Sequence, residues 1–474
     1  MELNKRGSIL ILIAQVIILS CAYYFIRLDD AYIFYKYAKN LAEGNGYTFN
    51  LDERVNATTS IMYPLLLGLV YFLLRIKPEI LFPLAGTLLS ILSLGLSGIL
   101  LSKIFKKDFQ KFSVILPLIV LAMPQIKNAI GMETFLKVFF IVLSLYLFQN
   151  KKYELLSFVC AILILTRPDA AIFIFVLIAF YIIEEKKFLS LRQIMIFILT
   201  IIPFYVFIYI NTDSLLPTSF FAKIFQGRNK IIAGEFIEGF VLNFPGGRNF
   251  ALMFYLIIIL SLMFLLKFRS PIFKNKPFQI LLVYSLFQIS VYSFILKPPP
   301  YPWYYAEYIV VYSIILVETY RVVSEKFLKR TDGAILIFIM IIIYSLGVIL
   351  PIKTIKNGYG EKFLLYKNVA SNINQYSNQS IKLAADEVGI LGFYFKGKMI
   401  DELGLIHRKF DYDNLEKYFG LTVKKNNPDY VIIDFPDFPK YKSYITQKWF
   451  KEKYEEFYTL KYFYSGVKVF RIIR

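Results

Sequence analysis

Two adjacent carboxylates, Asp29 and Asp30, follow an apolar run from Ser8 to Phe25 and open a stretch rich in Tyr, Phe, Lys and Gly that reaches Asn50. A carboxylate held where water meets lipid can serve as a general base, taking a proton from a hydroxyl as it attacks an electrophile. A positioned base contributes ~10²–10⁴ in rate. It can equally be an N-cap, an anion at the positive end of a helix. Neighbouring helical side chains point about 100° apart, so one of the pair can face a reacting group while the other caps or anchors. Which residue does which stays open. Ile33, Phe34, Tyr37 and Leu41 can form one face of an amphipathic helix lying along the membrane surface, which Gly44 and Gly46 then end. Other charged residues with possible chemistry are Arg54, Glu133, Lys223, and Arg167 with Asp169 in an Arg-Pro-Asp step. Each also has a plain role: Glu133 can cap the span it opens, Arg167 can pair with Asp169, and Lys223 can anchor to lipid headgroups. Tyr301, Trp303, Tyr304 and Tyr305 can stack on a sugar face or lipid carrier, but interfacial aromatic belts use the same residues, and the belt is the favoured reading. The single histidine, His407, reads as structural and cannot build a zinc site alone; Cys21 and Cys160 lie inside apolar runs, so disulfide and His/Cys metal chemistry are excluded.

The elements that must position these residues follow from hydropathy. Of the 474 residues 57% are hydrophobic and 19% charged, and the mean hydropathy is +0.55. Apolar runs near the ~20 residues needed to cross a bilayer recur from Ser8 to Leu350, which excludes soluble and disordered classes. Twelve candidate spans run from Ser8–Phe25 and Thr59–Ile76 to Trp303–Val323 and Ala334–Leu350. The net charge of +20 sits largely in short basic loops such as Lys151-Lys152 and Lys186-Lys187 with Arg192. That pattern is topology, with no nucleic-acid partner, and it places 27–58 as a first external loop on the outer face. Asp29 and Glu133 then both lie outside, although three apolar segments separate them. One of the three is expected to be re-entrant or otherwise incomplete; Ser113 to Gln125 is the shortest and holds Pro117 and Pro124. Eleven true crossings then put the C-terminal domain outside, although twelve would put it in the cytosol.

From about Thr354 the composition turns to Lys, Asn, Tyr and Asp. Strand-like Ile381–Ala385, Lys398–Ile400 and Tyr430–Ile433 alternate with helix-like Glu361–Tyr376, Val388–Tyr394 and Tyr412–Val423. A hairpin of Tyr458–Tyr464 and Val467–Ile472 closes the chain. The expected fold is a polytopic α-helical membrane protein of about 11–12 membrane segments (1–353) with a C-terminal extracytoplasmic α/β domain (354–474). No Gly-rich phosphate loop supports nucleotide binding. Asp386, Glu387, Asp401 and Glu402 in this domain read as surface charge or ligands.

The run from Asp29 to Asn50, continued by Glu53-Arg54-Val55-Asn56-Ala57-Thr58-Thr59-Ser60, resembles the first external loop of bacterial GT-C-fold glycosyltransferases. It is nearest the branch of the mycobacterial arabinofuranosyltransferases, related to protein mannosyltransferases. Further echoes are Gly131 to Thr134, Arg167-Pro168-Asp169, Leu216 to Lys223, Pro302 to Tyr305, and Asp386 to Leu405. The chain departs from the commoner pattern where Lys36 replaces an arginine, Asp169 a glutamate, Asn56-Ala57 a Glu-Gly pair, and Ile406-His407 a more acidic stretch.

What the resemblance implies is inverting transfer of a sugar from a polyprenyl-phosphate carrier to an acceptor hydroxyl, on the outer face of the cytoplasmic membrane. The acceptor is a glycan, lipid or protein. Asp29 or Asp30 would be the catalytic base; Arg167, Lys223 and Arg54 would meet the donor phosphate; Glu133, Tyr63, Trp303 and Tyr305 would bind substrate. No metal site is assigned, although a divalent cation is possible because some relatives use one. Two other classes compete: a transporter or flippase of lipid-linked glycans, which would carry mid-bilayer charges and internal repeats, and a glycan polymerase or ligase with a large external loop. Span centres nearly free of charge, with polar residues gathered at one interface, favour the interfacial enzyme.

Overall fold

The computed structural model describes residues 5–105, 115–228, 234–327, 359–376, 381–407, 420–434, 444–461 and 466–473. Two compact units divide the chain. The first comprises Met1–Tyr24, Leu84–Phe204 and Lys230–Ile352; the second comprises Phe25–Pro83, Tyr205–Asn229 and Lys353–Arg474. The division falls inside the helices Pro78–Ile104 and Leu191–Thr212.

Among the described residues, four helices are long and apolar enough to cross a membrane: Pro78–Ile104, Leu191–Thr212, Arg248–Lys267 and Lys276–Leu296. Twenty residues at 1.5 Å each span about 30 Å, the thickness of the hydrocarbon core. Ile194, Met195, Ile198, Leu199 and Ile202 are all exposed along one of these helices, an apolar surface that is stable against lipid. Shorter apolar helices include Thr134–Gln149 and Tyr153–Thr166. In the Ser113–Gln125 segment the described helix Ile115–Ala122 passes after Met123 into the 3₁₀ turn Pro124–Asn128, and residues 106–114 before it lie outside the described residues. The Ala334–Leu350 span lies outside the described residues.

In the first unit, serines along Pro78–Ile104 return their hydroxyls to their own helix, Ser90 to the Gly86 carbonyl at 2.8 Å and Ser97 to the Ser93 carbonyl at 2.7 Å. Ser90 Oγ in turn accepts the Gly131 N–H at 3.1 Å, fixing the loop that carries Glu133.

The second unit is built on a five-stranded sheet of order β2-β1-β3-β5-β4. Its strands are β1 (Lys382–Ala385), β2 (Lys398–Asp401), β3 (Tyr430–Asp434), β4 (Tyr454–Lys461) and β5 (Gly466–Ile472). β1 pairs in parallel with β2 and β3, Ala384 lying opposite both Ile400 and Val431, while β5 runs antiparallel to β3 and β4. Ala384, Ile400, Val423, Val431, Ile433, Tyr444 and Phe450 form its core. The near-continuous apolar runs of β1 and β3 are what a strand covered on both faces requires. The turn of the expected hairpin, 462–465, lies outside the described residues, as does most of the helix expected over Tyr412–Val423.

The loop after the first apolar run belongs to this same unit. Its helix, Asp29–Ala42, buries eight of fourteen residues, among them Ala31, Tyr32, Ile33, Phe34, Tyr35, Tyr37 and Ala38. A surface helix with one apolar face is therefore too modest a reading. Met62–Leu74 packs closely on one side, where Gly68 meets Ala38. On the other, Tyr32 meets the Phe393 ring at 5.4 Å from the helix Gly389–Tyr394. Beyond Glu43, Gly44 and Gly46 turn the chain with positive φ, a conformation that favours glycine. Asn40 holds the return by donating to the carbonyls of Thr48 (2.8 Å) and Phe49 (3.1 Å). Asn50 then pairs with both backbone groups of Met399, donating at 2.9 Å and accepting at 3.0 Å. β2 is an edge strand, and the Asn50 amide satisfies part of that open edge.

The contact between the loop helix and Gly389 has no room for a side chain: a methyl group there would lie 1.9 Å from the Asp29 carbonyl oxygen. Gly389→Ala is expected to destabilise the second unit by about 1–3 kcal/mol through overpacking, seen as a lower thermal midpoint in detergent. Gly95→Ala, whose methyl would meet nothing closer than 3.8 Å, is the near-neutral control.

Candidate functional site

The two adjacent carboxylates have different occupations. The helix begins at Asp29 after the N-cap residue Leu28, and no side chain caps it. Neither aspartate is thus a cap of its own helix. Asp29 caps another one: its Oδ2 accepts the Gly389 N–H at 2.8 Å and its Oδ1 the Ile390 N–H at 2.8 Å, first-turn donors of Gly389–Tyr394. Burial, followed by the Glu387 carboxylate, pushes the Asp29 carboxyl above its ordinary range, against the pull of Lys362 and the Ile390 amide. Both of its oxygens are spent.

Asp30, one residue on, points elsewhere as the helical period demands. Its Oδ2 accepts from Lys223 Nζ at 2.9 Å. The two side chains are 21% and 11% exposed, so the pair is sheltered yet reachable. Among the described residues, Oδ1 of Asp30 has no hydrogen bond. Lys223 is carried by the helix Thr218–Arg228. Thr218 anchors that helix, its N–H donating to the Asn56 carbonyl at 2.7 Å and its hydroxyl to the carbonyls of Asn56 and Leu405. One carboxylate oxygen fixed by a cation and the other open is the arrangement a general base needs. Of the other residues singled out here, Arg54 is exposed. Tyr63 is fully buried, its ring edge-on to Phe34 at 5.4 Å.

The first unit holds a separate buried cluster of Glu133, Lys137, Arg167, Asp169 and Glu307. Arg167 forks onto Asp169, Nε at 3.1 Å and Nη2 at 3.0 Å, and gives Nη1 to Glu133 at 3.2 Å. Lys137 bridges Asp169 at 3.2 Å and Glu307 at 2.7 Å. Tyr292 donates to Asp169 at 2.5 Å, and Gln288 donates to Glu307. Glu133 occupies the N-cap position of Thr134–Gln149 without a side-chain cap bond; its carboxylate serves Arg167 instead. The expectation that the aromatics after Pro302 form an interfacial belt is corrected by their burial: Trp303, Tyr304 and Tyr305 are at most 8% exposed. Trp303 stacks on Tyr301 at 4.5 Å, and Tyr305 donates to the Phe236 carbonyl at 2.6 Å. Lys137 and Glu307 escaped the sequence reading, although a lysine one turn into an apolar helix is a signal in itself.

At the carboxyl ends of the parallel strands, Asp401 and Glu402 are buried rather than surface charge. Asp401 accepts the N–H groups of Leu403 (2.7 Å), Leu405 and Ile406 (3.1 Å), and burial raises its carboxyl to about 6. His407 Nε2 accepts the Asp401 N–H at 2.9 Å while Nδ1 faces Glu53 at 3.4 Å, a structural role. Among the described residues no group of three or more His, Cys, Asp or Glu is placed to hold a metal ion.

Apolar membrane-spanning helices, a first loop opening on an aspartate pair, and a C-terminal α/β layer together define a GT-C-type membrane fold. This fold is shared with ArnT from Cupriavidus metallidurans, solved as a crystal structure bound to undecaprenyl phosphate: the TM-score is 0.63, the identity 10%, and 98% of each chain is covered. No protein-family model and no curated protein matches the sequence. At that identity the likeness is one of fold.

The buried cluster yields a stability test. Lys137→Met would leave Asp169 and Glu307 short of a countercharge in a dry site, at an expected cost of about 3–5 kcal/mol. Thermal unfolding of purified protein should show a marked drop for Lys137→Met and a smaller one for Lys137→Arg.

Proposed function

We propose that this chain is an integral membrane glycosyltransferase. It moves a sugar from a polyprenyl-phosphate carrier to an acceptor hydroxyl on the outer face of the cytoplasmic membrane, with inversion. Asp30 is the general base, and the acceptor is a glycan, lipid or protein. The observation that carries this reading is the asymmetry of the doublet: Asp29 has both oxygens committed to backbone N–H groups, whereas among the described residues Asp30 keeps Oδ1 open beside a fixed lysine. The fold likeness to a protein crystallised with undecaprenyl phosphate supports the carrier class.

In this reading the acceptor hydroxyl donates to Asp30 Oδ1. Its oxygen attacks the anomeric carbon, the proton passes to the carboxylate, and the bond to the carrier phosphate breaks with its electron pair leaving on the phosphate. The transition state is oxocarbenium-like, and charge on the leaving phosphate must meet a cation. Lys223 is suited to that role. As Asp30 is neutralised, the ammonium at 2.9 Å loses its carboxylate counterion while the phosphate gains charge. Exposed Arg54 is the second candidate. Arg167 ranks below them, since Asp169 and Glu133 already neutralise it. Glu133, Tyr63, Trp303 and Tyr305, all buried, stay substrate-binding candidates on the sequence resemblance alone, and Asp29 is a positioning residue.

A second reading, transport of lipid-linked glycans, gains from the five buried ionisable residues of the first unit, since such groups mark transport pathways in membrane proteins. The discriminating assay uses a synthetic polyprenyl-phosphate sugar. Asp30→Asn should lower the transfer rate ~10²–10⁴-fold with little change in thermal stability. Asp29→Asn, which keeps one acceptor oxygen, should lower stability more than it alters the pH dependence of the remaining rate. Full transfer by Asp30→Asn removes the base, and absence of transfer from every polyprenyl-phosphate donor by the wild-type chain turns the reading towards transport.

A further inference from the structure

In the first unit a cavity of about 360 Å³ opens between the helices Tyr153–Thr166, Ala171–Glu185 and Leu191–Thr212. Its lining is overwhelmingly apolar, with Leu156, Ile174, Ile178, Ile194 and Phe197 along the walls and Tyr153 at one end. That end is charged. Tyr153 donates to Glu185 at 2.5 Å, and Glu185 also meets Lys151 at 3.1 Å and Lys187 at 3.7 Å, while Arg192 meets Glu154 at 3.0 Å. Lys151, Lys187 and Arg192 are 67%, 61% and 75% exposed, so each ammonium or guanidinium can take a second anion. Lys151, Lys152, Lys186, Lys187 and Arg192 outnumber Glu154, Glu184 and Glu185 by two charges. Phe188 and Leu191, set among these basic residues, are 81% and 75% exposed. Basic side chains interleaved with exposed apolar ones suit the level of lipid headgroups.

We propose that this groove is a binding site for an anionic glycerophospholipid, with one acyl chain between the three helices and the phosphate met by Lys151, Lys187 and Arg192. An apolar slot ending in a surplus of positive charge complements a lipid that has both parts, whereas a zwitterionic lipid satisfies only the slot. The positive-inside pattern assigns these loops to the cytosolic leaflet. The site is independent of the aspartate doublet.

The test uses the purified full-length protein in detergent, with phosphatidylglycerol and phosphatidylcholine of identical acyl chains as probes. Lipid retention is followed by native mass spectrometry and the thermal midpoint is recorded alongside. Phosphatidylglycerol should be held roughly tenfold more tightly, and the preference should shrink at high salt as the contact is screened. The triple variant Lys151→Ala, Lys187→Ala, Arg192→Ala should lose the preference while keeping the lipid-free thermal midpoint. Ile178→Trp, which fills the slot, should weaken retention of both lipids. Equal retention of the two lipids by the wild-type chain overturns the proposal, as does a preference that survives the triple variant. Displacement of phosphatidylglycerol by stoichiometric polyprenyl phosphate also overturns it, by giving the groove to the carrier.

Discussion

The geometry of the doublet depends on one interaction: the carboxylate of Asp29 receiving two backbone N–H groups from Gly389 and Ile390, some 360 residues away in sequence. Those amides belong to the first turn of a short helix whose N–H groups would otherwise lack partners, and the anion also complements the positive end of that helix. The bond works in two directions. It joins the α/β layer to the first loop, and it fixes the rotation of the loop helix about its axis, which sets the direction of Asp30. A glycine at 389 is part of the same device, since any side chain would strike the Asp29 carbonyl.

The first unit solves a different problem, which is how to keep charge in an apolar setting. Five ionisable side chains, each 0–16% exposed, pair closely, three carboxylates against two cations, and tyrosine and glutamine donors add bonds to Asp169 and Glu307. Burying such groups is tolerable only when pairing and hydrogen bonding are both present. The two carboxylates already on Arg167 lower its affinity for any further anion. Asp30 and Lys223 are the opposite case, a pair left partly open. Between two sets of charges, the incompletely satisfied one is the better candidate for chemistry, because its residual hydrogen-bonding capacity is available to a substrate.

Much of this was legible before the structure. Hydropathy placed the long apolar helices, the alternating pattern after residue 380 located β1, β2 and β3 to within a residue, and Gly44 and Gly46 marked the end of the loop helix. Those features are local, and local chemistry is written in short windows of sequence. What could not be read was pairing across distance. Nothing near Asp29 announces Gly389, nothing near Arg167 announces Glu133, and the buried state of Tyr32 and Tyr35 depends on Phe393 and Phe82, which arrive from elsewhere in the chain. The aromatic run at Tyr301 to Tyr305 misled for the same reason: its composition fits a lipid interface or a protein interior equally well, and only tertiary contact decides.

The consequence for the doublet is that adjacency in sequence is a poor guide to shared function in a helix. Two carboxylates one residue apart are separated by about 100° around the axis, so a single cavity cannot engage both in equivalent geometry. One is free to become structural while the other keeps an open oxygen, and the fold has used that freedom by giving Asp29 a helix to cap and Asp30 a lysine to lean on. For the proposed base Asp30, positional precision then derives from its neighbour: a base must hold its oxygen within hydrogen-bond reach of the proton it removes, and a helix start pinned by two 2.8 Å bonds supplies that constraint without spending any of Asp30's own bonding capacity.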